Sequence, residues 1–188
     1  MGIKTWLASL VSMATGRREV GDPPPRRMDC DTPFETLLAE ASDFELANAT
    51  FVKIQQRIES GTPLSRPEET VITLIWHSSG IIDNGGFEYL FSGTFEFDPE
   101  FRAAAEAYRT VGLDGNFEAF QQALALFPDG RVPHRGDERV RLYKQADESV
   151  REEINRMFWN DDNRLAQKVA QYIREHASEL GDLDAKVV

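Results

Sequence analysis

The stretch Ser65-Arg66-Pro67-Glu68-Glu69-Thr70-Val71-Ile72-Thr73-Leu74-Ile75-Trp76 decides the fold. Taken alone, Val71 to Trp76 is a β-branched apolar run that suits a buried strand or a buried helix. The residues before it separate the two. Ser65 and Glu68 stand at capping-box spacing, and Pro67 takes the first helical position, where its missing N–H costs nothing. The segment then continues through Ile81 and Ile82 to Asn84-Gly85-Gly86, too long for an ordinary strand. Two adjacent glycines cost roughly 1 kcal/mol each inside a helix and permit positive φ, so the helix stops there. The reading is a central helix, apolar nearly all round. It ends in a glycine corner, and Phe87, Tyr89, Leu90 and Phe91 open the next segment.

The rest of the chain reads the same way in both directions. Upstream, Thr32-Pro33-Phe34-Glu35 forms another capping box. Phe34, Leu37, Leu38, Ala41 and Phe44 recur at helical spacing behind it, with Glu35, Glu40 and Asp43 opposite. A second helix is predicted over 47–60, stopped by Gly61. Downstream, Asp98-Pro99 caps a helix carrying Phe101, Ala104, Ala105 and Tyr108 as far as Gly112. Phe117, Phe120, Leu124 and Phe127 make the next, which Pro128 stops. A loop over 129–136 leads to short helices near 138–146 and 149–159. The last helix spans about 163–180, with Leu165, Val169, Tyr172 and Ile173 inward and Gly181 at its end. No segment alternates long enough to demand a sheet. The expected fold is all-α, a compact multi-helix domain over 31–188. Residues 1–30 form an extension: a short amphipathic helix (Ile3, Trp6, Leu7, Leu10, Ala14), then a Pro/Arg-rich linker that Pro23-Pro24-Pro25 stiffens toward polyproline II.

The chain has 188 residues, with 21 Lys and Arg against 32 Asp and Glu, a net charge of −11. Residues 1–30 carry +2 and residues 31–188 carry −13. Such a body repels nucleic acid and anionic lipid and attracts basic partners. Between Arg27 and Lys53, and again between Arg66 and Arg102, there is no basic residue. Glu35, Glu40, Asp43, Glu88, Glu96, Asp98 and Glu100 in or beside these stretches are the candidate partner-binding acids, provided that they share one exposed face. The bases concentrate at 131–144. Arg17, Arg18, Arg26 and Arg27 are placed in sequence to fold back over the acidic body. The same acids also suit an ordinary solvated surface.

No reaction signature emerges. His77, His134 and His176 lack a second His or Cys at ligand spacing, so no metal site is expected. Cys30, the only cysteine, has no activating base and fits a reducing, cytoplasmic setting. The Gly85-Gly86 pair lacks the Lys-Ser/Thr of a phosphate loop. The clusters Glu96/Asp98/Glu100 and Asp161/Asp162/Asn163 lack calcium-loop spacing. No apolar run approaches the roughly 18 residues of a membrane span. The expectation is a non-enzymatic module with no cofactor. Its alternatives are a small-ligand or enzymatic site at the 84–91 corner, with Trp76, His77 and Tyr89 near it in sequence, and an immunity-type inhibitor of a basic toxin. Asn84, Gly85, Gly86 and Phe87 read as a structural corner, or else as a backbone nest for an anion.

Asn84-Gly85-Gly86-Phe87 with aromatics after it resembles the signature of the DNA-mimic-protein domain family. The likeness runs from Trp76 and Ile81-Ile82-Asp83 through Tyr108-Arg109-Thr110-Val111-Gly112 and Ala125-Leu126-Phe127-Pro128. It continues to Pro133, Asp137, Arg139 and Phe158-Trp159, covering about residues 65–175. Tyr89 and Gly93 stand where the family pattern has a Gln and an Asn, so any role of those amides is in doubt for this chain. The resemblance implies an all-helical fold, dimers, and a carboxylate surface that imitates DNA and occupies a basic DNA-binding protein such as a transcription factor. The negative charge, for its part, leads to the expectation of no direct contact with nucleic acid or membrane.

Overall fold

A computed structural model describes residues 28–95, 98–160, 162–181 and 183–184. The expected N-terminal helix, the linker before Met28 and Glu96 lie outside the described residues. Among those described there are ten α-helices and no strand. They are α1 (Phe34–Glu40), α2 (Asp43–Glu59), α3 (Pro67–Asp83), α4 (Gly86–Ser92) and α5 (Arg102–Thr110). After these come α6 (Asp114–Ala125), α7 (Gly136–Tyr143), α8 (Glu148–Asn160), α9 (Asp162–Glu175) and α10 (Ala177–Leu180). A 3₁₀ turn, Pro128–Gly130, lies in the stretch read as loop.

The deciding stretch is a helix, and it is central. Ile72 to Trp76, Ser78 to Gly80 and Ile82 are all buried on α3. Helices α2, α4, α5 and α10 pack around it. Further out, α9 lies on α2, α6 on α5, α8 on α6, and α7 on α4. One apolar core runs from Phe34 to Leu183, so α1 and α2 share it with the later helices. Its centre is aromatic. The Phe87 ring stands edge-on to Phe120 and Phe158, with centroids 5.0 and 5.6 Å away. Phe91 stands likewise against Phe101, Phe127 and Tyr143. Such pairs contribute about 0.5–1.5 kcal/mol each beyond the area they bury, and they join α4 to α6, α7, α8 and the residue that opens α5.

Three local expectations need correction. The helix read through Phe44 breaks at Ala41, which is extended (φ −73°, ψ 146°). Ser42 and Glu45 form the capping box that starts α2. The Ser42 hydroxyl accepts the Glu45 N–H, and the Glu45 carboxylate accepts the Ser42 N–H at 3.1 Å. A reciprocal cap satisfies two orphan donors, whereas a continuous helix would leave Ser42 and Asp43 as weak helix formers in its interior. Phe44 consequently turns outward to 40% exposure, against the Trp76 ring.

The boxes expected at Thr32 and Ser65 do not form. Asp184 instead accepts the Phe34 N–H at 2.8 Å and the Lys53 ammonium at 2.6 Å. Burial would raise the Asp184 pKa, but these two bonds more than offset it and hold it below the usual carboxylate value. At α3, Pro67 opens the helix without a side-chain cap, and Glu69 is buried beneath Arg57 and Arg66. The last helix also breaks, at His176 (φ −112°, ψ 24°), leaving α10 as a separate turn.

Candidate functional site

The glycine corner is built from backbone bonds. Asn84 ends α3 with φ −84° and ψ −12°. Its Nδ2 donates to the Gly80 carbonyl at 2.6 Å, and the Gly85 N–H donates to Ile82 at 3.1 Å. Gly86 has φ +68°, a conformation costly for any residue with a side chain. A Cβ there would lie 2.7 Å from the Asn155 amide of α8. That amide is close for a reason: its Oδ1 accepts the Phe87 N–H at 3.1 Å. Phe87 itself is fully buried. Asn84, Gly85, Gly86 and Phe87 therefore turn the chain and seat an aromatic anchor, with Asn155 as the latch. Sequence reasoning missed Asn155, whose only signal is a poor helix former in mid-helix.

The corner offers little to a ligand. The N–H groups of Gly85 and Phe87 already have partners inside the protein. The Trp76 ring is buried and its indole N–H donates to Asn48. Only Tyr89, 49% exposed, faces outward among the aromatics of this region. A depression of about 410 Å³ lies elsewhere, lined by Met28, Asp29, Asp31, Thr36 and Glu40 beside α1.

A second junction ties α4 to the segment before α7. Arg139 is 4% exposed, and among the described residues no carboxylate pairs with it. Its guanidinium donates to the carbonyls of Phe91 (2.8 Å), Pro133 (2.9 Å), His134 (2.6 Å) and Gly93. It also lies over the Phe101 ring. Burial lowers its pKa, but a guanidinium starts so high that it stays charged. The α4 carbonyls are helix C-terminal groups with partial negative charge, so they serve as its counter-charge.

Of the seven candidate acids, the six that lie among the described residues separate into different environments. Glu35, Glu40 and Glu100 are exposed. Glu100 stands 3.4 Å from Arg102, an exposed pair of little energetic weight. Asp43 pairs with Arg174 at 2.7 Å. Glu88 pairs with Lys144 at 2.8 Å and with Arg151 at 3.7 Å. Asp98 is 6% exposed because its carboxylate caps α5, accepting the N–H groups of Arg102 and Ala104. Asp98 is therefore removed from any partner-binding face, and Glu88 is already engaged by a base from the 131–144 stretch. The six described acids do not form one free face.

That basic stretch is only partly free: Arg131 and Arg141 stay exposed, but the other three bases are engaged. Arg139 is interior, Lys144 holds Glu88, and Arg135 pairs with Asp137. The same holds across the fold, where Lys53, Arg57 and Arg151 are largely covered and paired with carboxylates. Among the described residues, carboxylates without an ion pair remain outside. Asp29, Asp31 and Glu40 line the depression, which has no Lys or Arg among its lining residues. Asp114 and Glu118 on α6, and Glu148 and Glu152 on α8, are exposed one helical turn apart. At that spacing side chains lie about 5–6 Å from one another.

His77 sits on α3 with its ring 5.3 Å from that of Phe95. Burial lowers its pKa from the ordinary 6.5. The unfolded chain therefore takes up a proton below pH 6.5 that the folded chain resists. Stability should be full above that value and fall as pH drops through it. Urea midpoints at about pH 7.5 and about pH 5.5 test this, since His77→Phe should flatten the difference between them.

Among the described residues, no group of three or more His, Cys, Asp or Glu is placed to hold a metal ion. No helix among them is long and apolar enough to cross a membrane.

Fold and site together define an acidic, all-α protein assembled around a latched glycine corner. The chain belongs to the DMP19-like protein family, whose model matches residues 63–176. That span nearly coincides with the 65–175 over which the sequence resemblance runs. No curated protein and no solved structure matches the chain.

Proposed function

We propose that the protein is an acidic protein-binding module, a DNA mimic that occupies the nucleic-acid groove of a basic DNA-binding protein. One observation carries the reading. Among the described residues, the fold draws many of its cations inward or into ion pairs and leaves unpaired carboxylates outside. A net charge of −11 then becomes a field that a Lys/Arg groove meets as it meets phosphates. Membership of the DMP19-like family supports the same reading.

The interacting acids are proposed to include Glu35, Glu40 and Glu100 from the sequence-derived set. Asp29, Asp31, Asp114, Glu118, Glu148 and Glu152 join them on exposure. Replacing Asp29, Asp31 and Glu40 together by Asn, Asn and Gln removes three charges from one site without touching the core. Capture of DNA-binding proteins from the native host on the immobilised chain tests the proposal. The wild-type chain should retain them at low salt and release them at high salt, and the triple variant should retain less. Retention indifferent to both salt and the substitutions contradicts a charge-based mimic.

A further inference from the structure

The chain contains one Asn-Gly pair, Asn84-Gly85, and it is exposed at the corner. Asn before Gly is the sequence in which an asparagine side chain cyclises most readily. The Gly85 nitrogen, on losing its proton, attacks Asn84 Cγ. A C–N bond forms to give a succinimide, and the Cγ–Nδ2 bond breaks to release ammonia. Water then opens the ring on either side, leaving aspartate or isoaspartate at position 84. No oxidant or reductant takes part, and water is the only co-reactant.

The structure opposes each part of this reaction. The attacking nitrogen carries a proton already donated to the Ile82 carbonyl at 3.1 Å. The departing nitrogen is held on the Gly80 carbonyl at 2.6 Å, so the amide points back along α3. The helical ψ of −12° keeps that arrangement in place. Beyond it, Asn155 fixes Phe87 and crowds Gly86, which prevents the corner from swinging freely. Cyclisation needs a near-attack geometry, and at this corner it requires local opening of the last turn of α3.

We propose that Asn84 is a self-modification site guarded by the corner, so that opening of the corner, rather than global unfolding, sets its rate of conversion to aspartate or isoaspartate. The product cannot close the corner as before. A carboxylate at position 84 faces the Gly80 carbonyl where a donor stood. It also sits beside Asp83 at the negative end of α3. Isoaspartate further lengthens the backbone by one methylene where Gly86 already fits tightly. The device is a one-way timer: each opening risks a change that favours further opening.

Mass spectrometry of the full chain, incubated at mildly alkaline pH, tests this by the mass change of exchanging NH₂ for OH on the peptide containing Asn84. The native chain should convert at least about tenfold more slowly than the chain in strong urea, the ratio reporting the free energy of opening. Asn155→Ala should convert faster than wild type while still folded. Should that variant fail to fold, the wild-type rate across sub-denaturing urea replaces it, and it should rise before global unfolding begins. Equal rates in native and denatured chain overturn the proposal. So does a rate that follows global unfolding alone, or an Asn155→Ala chain that is folded yet converts no faster. None of these outcomes depends on partner binding.

Discussion

Arg139→Met is expected to destabilise the protein by about 3–5 kcal/mol. The guanidinium satisfies four carbonyls at once, two at the end of α4 and two before α7. Methionine approximates its volume but donates nothing. The carbonyls released from a charged donor are in part shut away from water, and each unsatisfied acceptor costs about 1–3 kcal/mol. Against a total stability of about 5–15 kcal/mol, such a loss leaves a marginal fold. Lysine should recover little, because a compact ammonium cannot reproduce a planar fork reaching carbonyls on two sides. Urea unfolding followed by circular dichroism measures both variants. A loss under about 1 kcal/mol for Arg139→Met contradicts the assignment of this residue as the α4–α7 tie.

Gly86→Ala is expected to cost about 2–4 kcal/mol, from two sources. Holding alanine at the φ of +68° costs about 1–2 kcal/mol. The new methyl must also displace the Asn155 amide, leaving the Phe87 N–H without its acceptor. The two sources are separable. Asn155→Ala removes the obstruction as well as the bond, so the double variant should lose less than the sum of the singles. Strict additivity would show that the corner and the latch are independent, contrary to the geometry.

Much of the fold is legible in the sequence, for identifiable reasons. The helix at Val71–Trp76 follows from Pro67 and from the length of the run, although the Ser65 box that also argues for it does not form. The corner at Asn84-Gly85-Gly86 is legible because glycine pairs have a local conformational meaning. The inward positions Leu165, Val169, Tyr172 and Ile173 are legible from period alone, and all are buried. Local competition hides the break at Ala41, since Ser42 and Glu45 cap in a sequence whose apolar spacing runs straight through them.

The candidate acids are harder to place because charge in a sequence carries no direction. Asp98 turns inward to cap α5, and Glu88 meets Lys144 just past the end of α7, far along the chain. Neither fact has a local signature. Arg139 belongs to an apparent basic cluster, and only the fold shows that it faces carbonyls rather than solvent. The surface that remains acidic is what the interior did not need, so it can be found only once the interior is known.

The most direct test of DNA mimicry is competition. DNA-binding proteins of the native host, captured on the immobilised chain at low salt, are challenged with short duplex DNA of mixed sequence. A carboxylate surface in the same groove and the duplex exclude each other, so the captured proteins should elute as the duplex saturates them. Proteins that stay bound to the chain while also carrying duplex DNA would contradict the account.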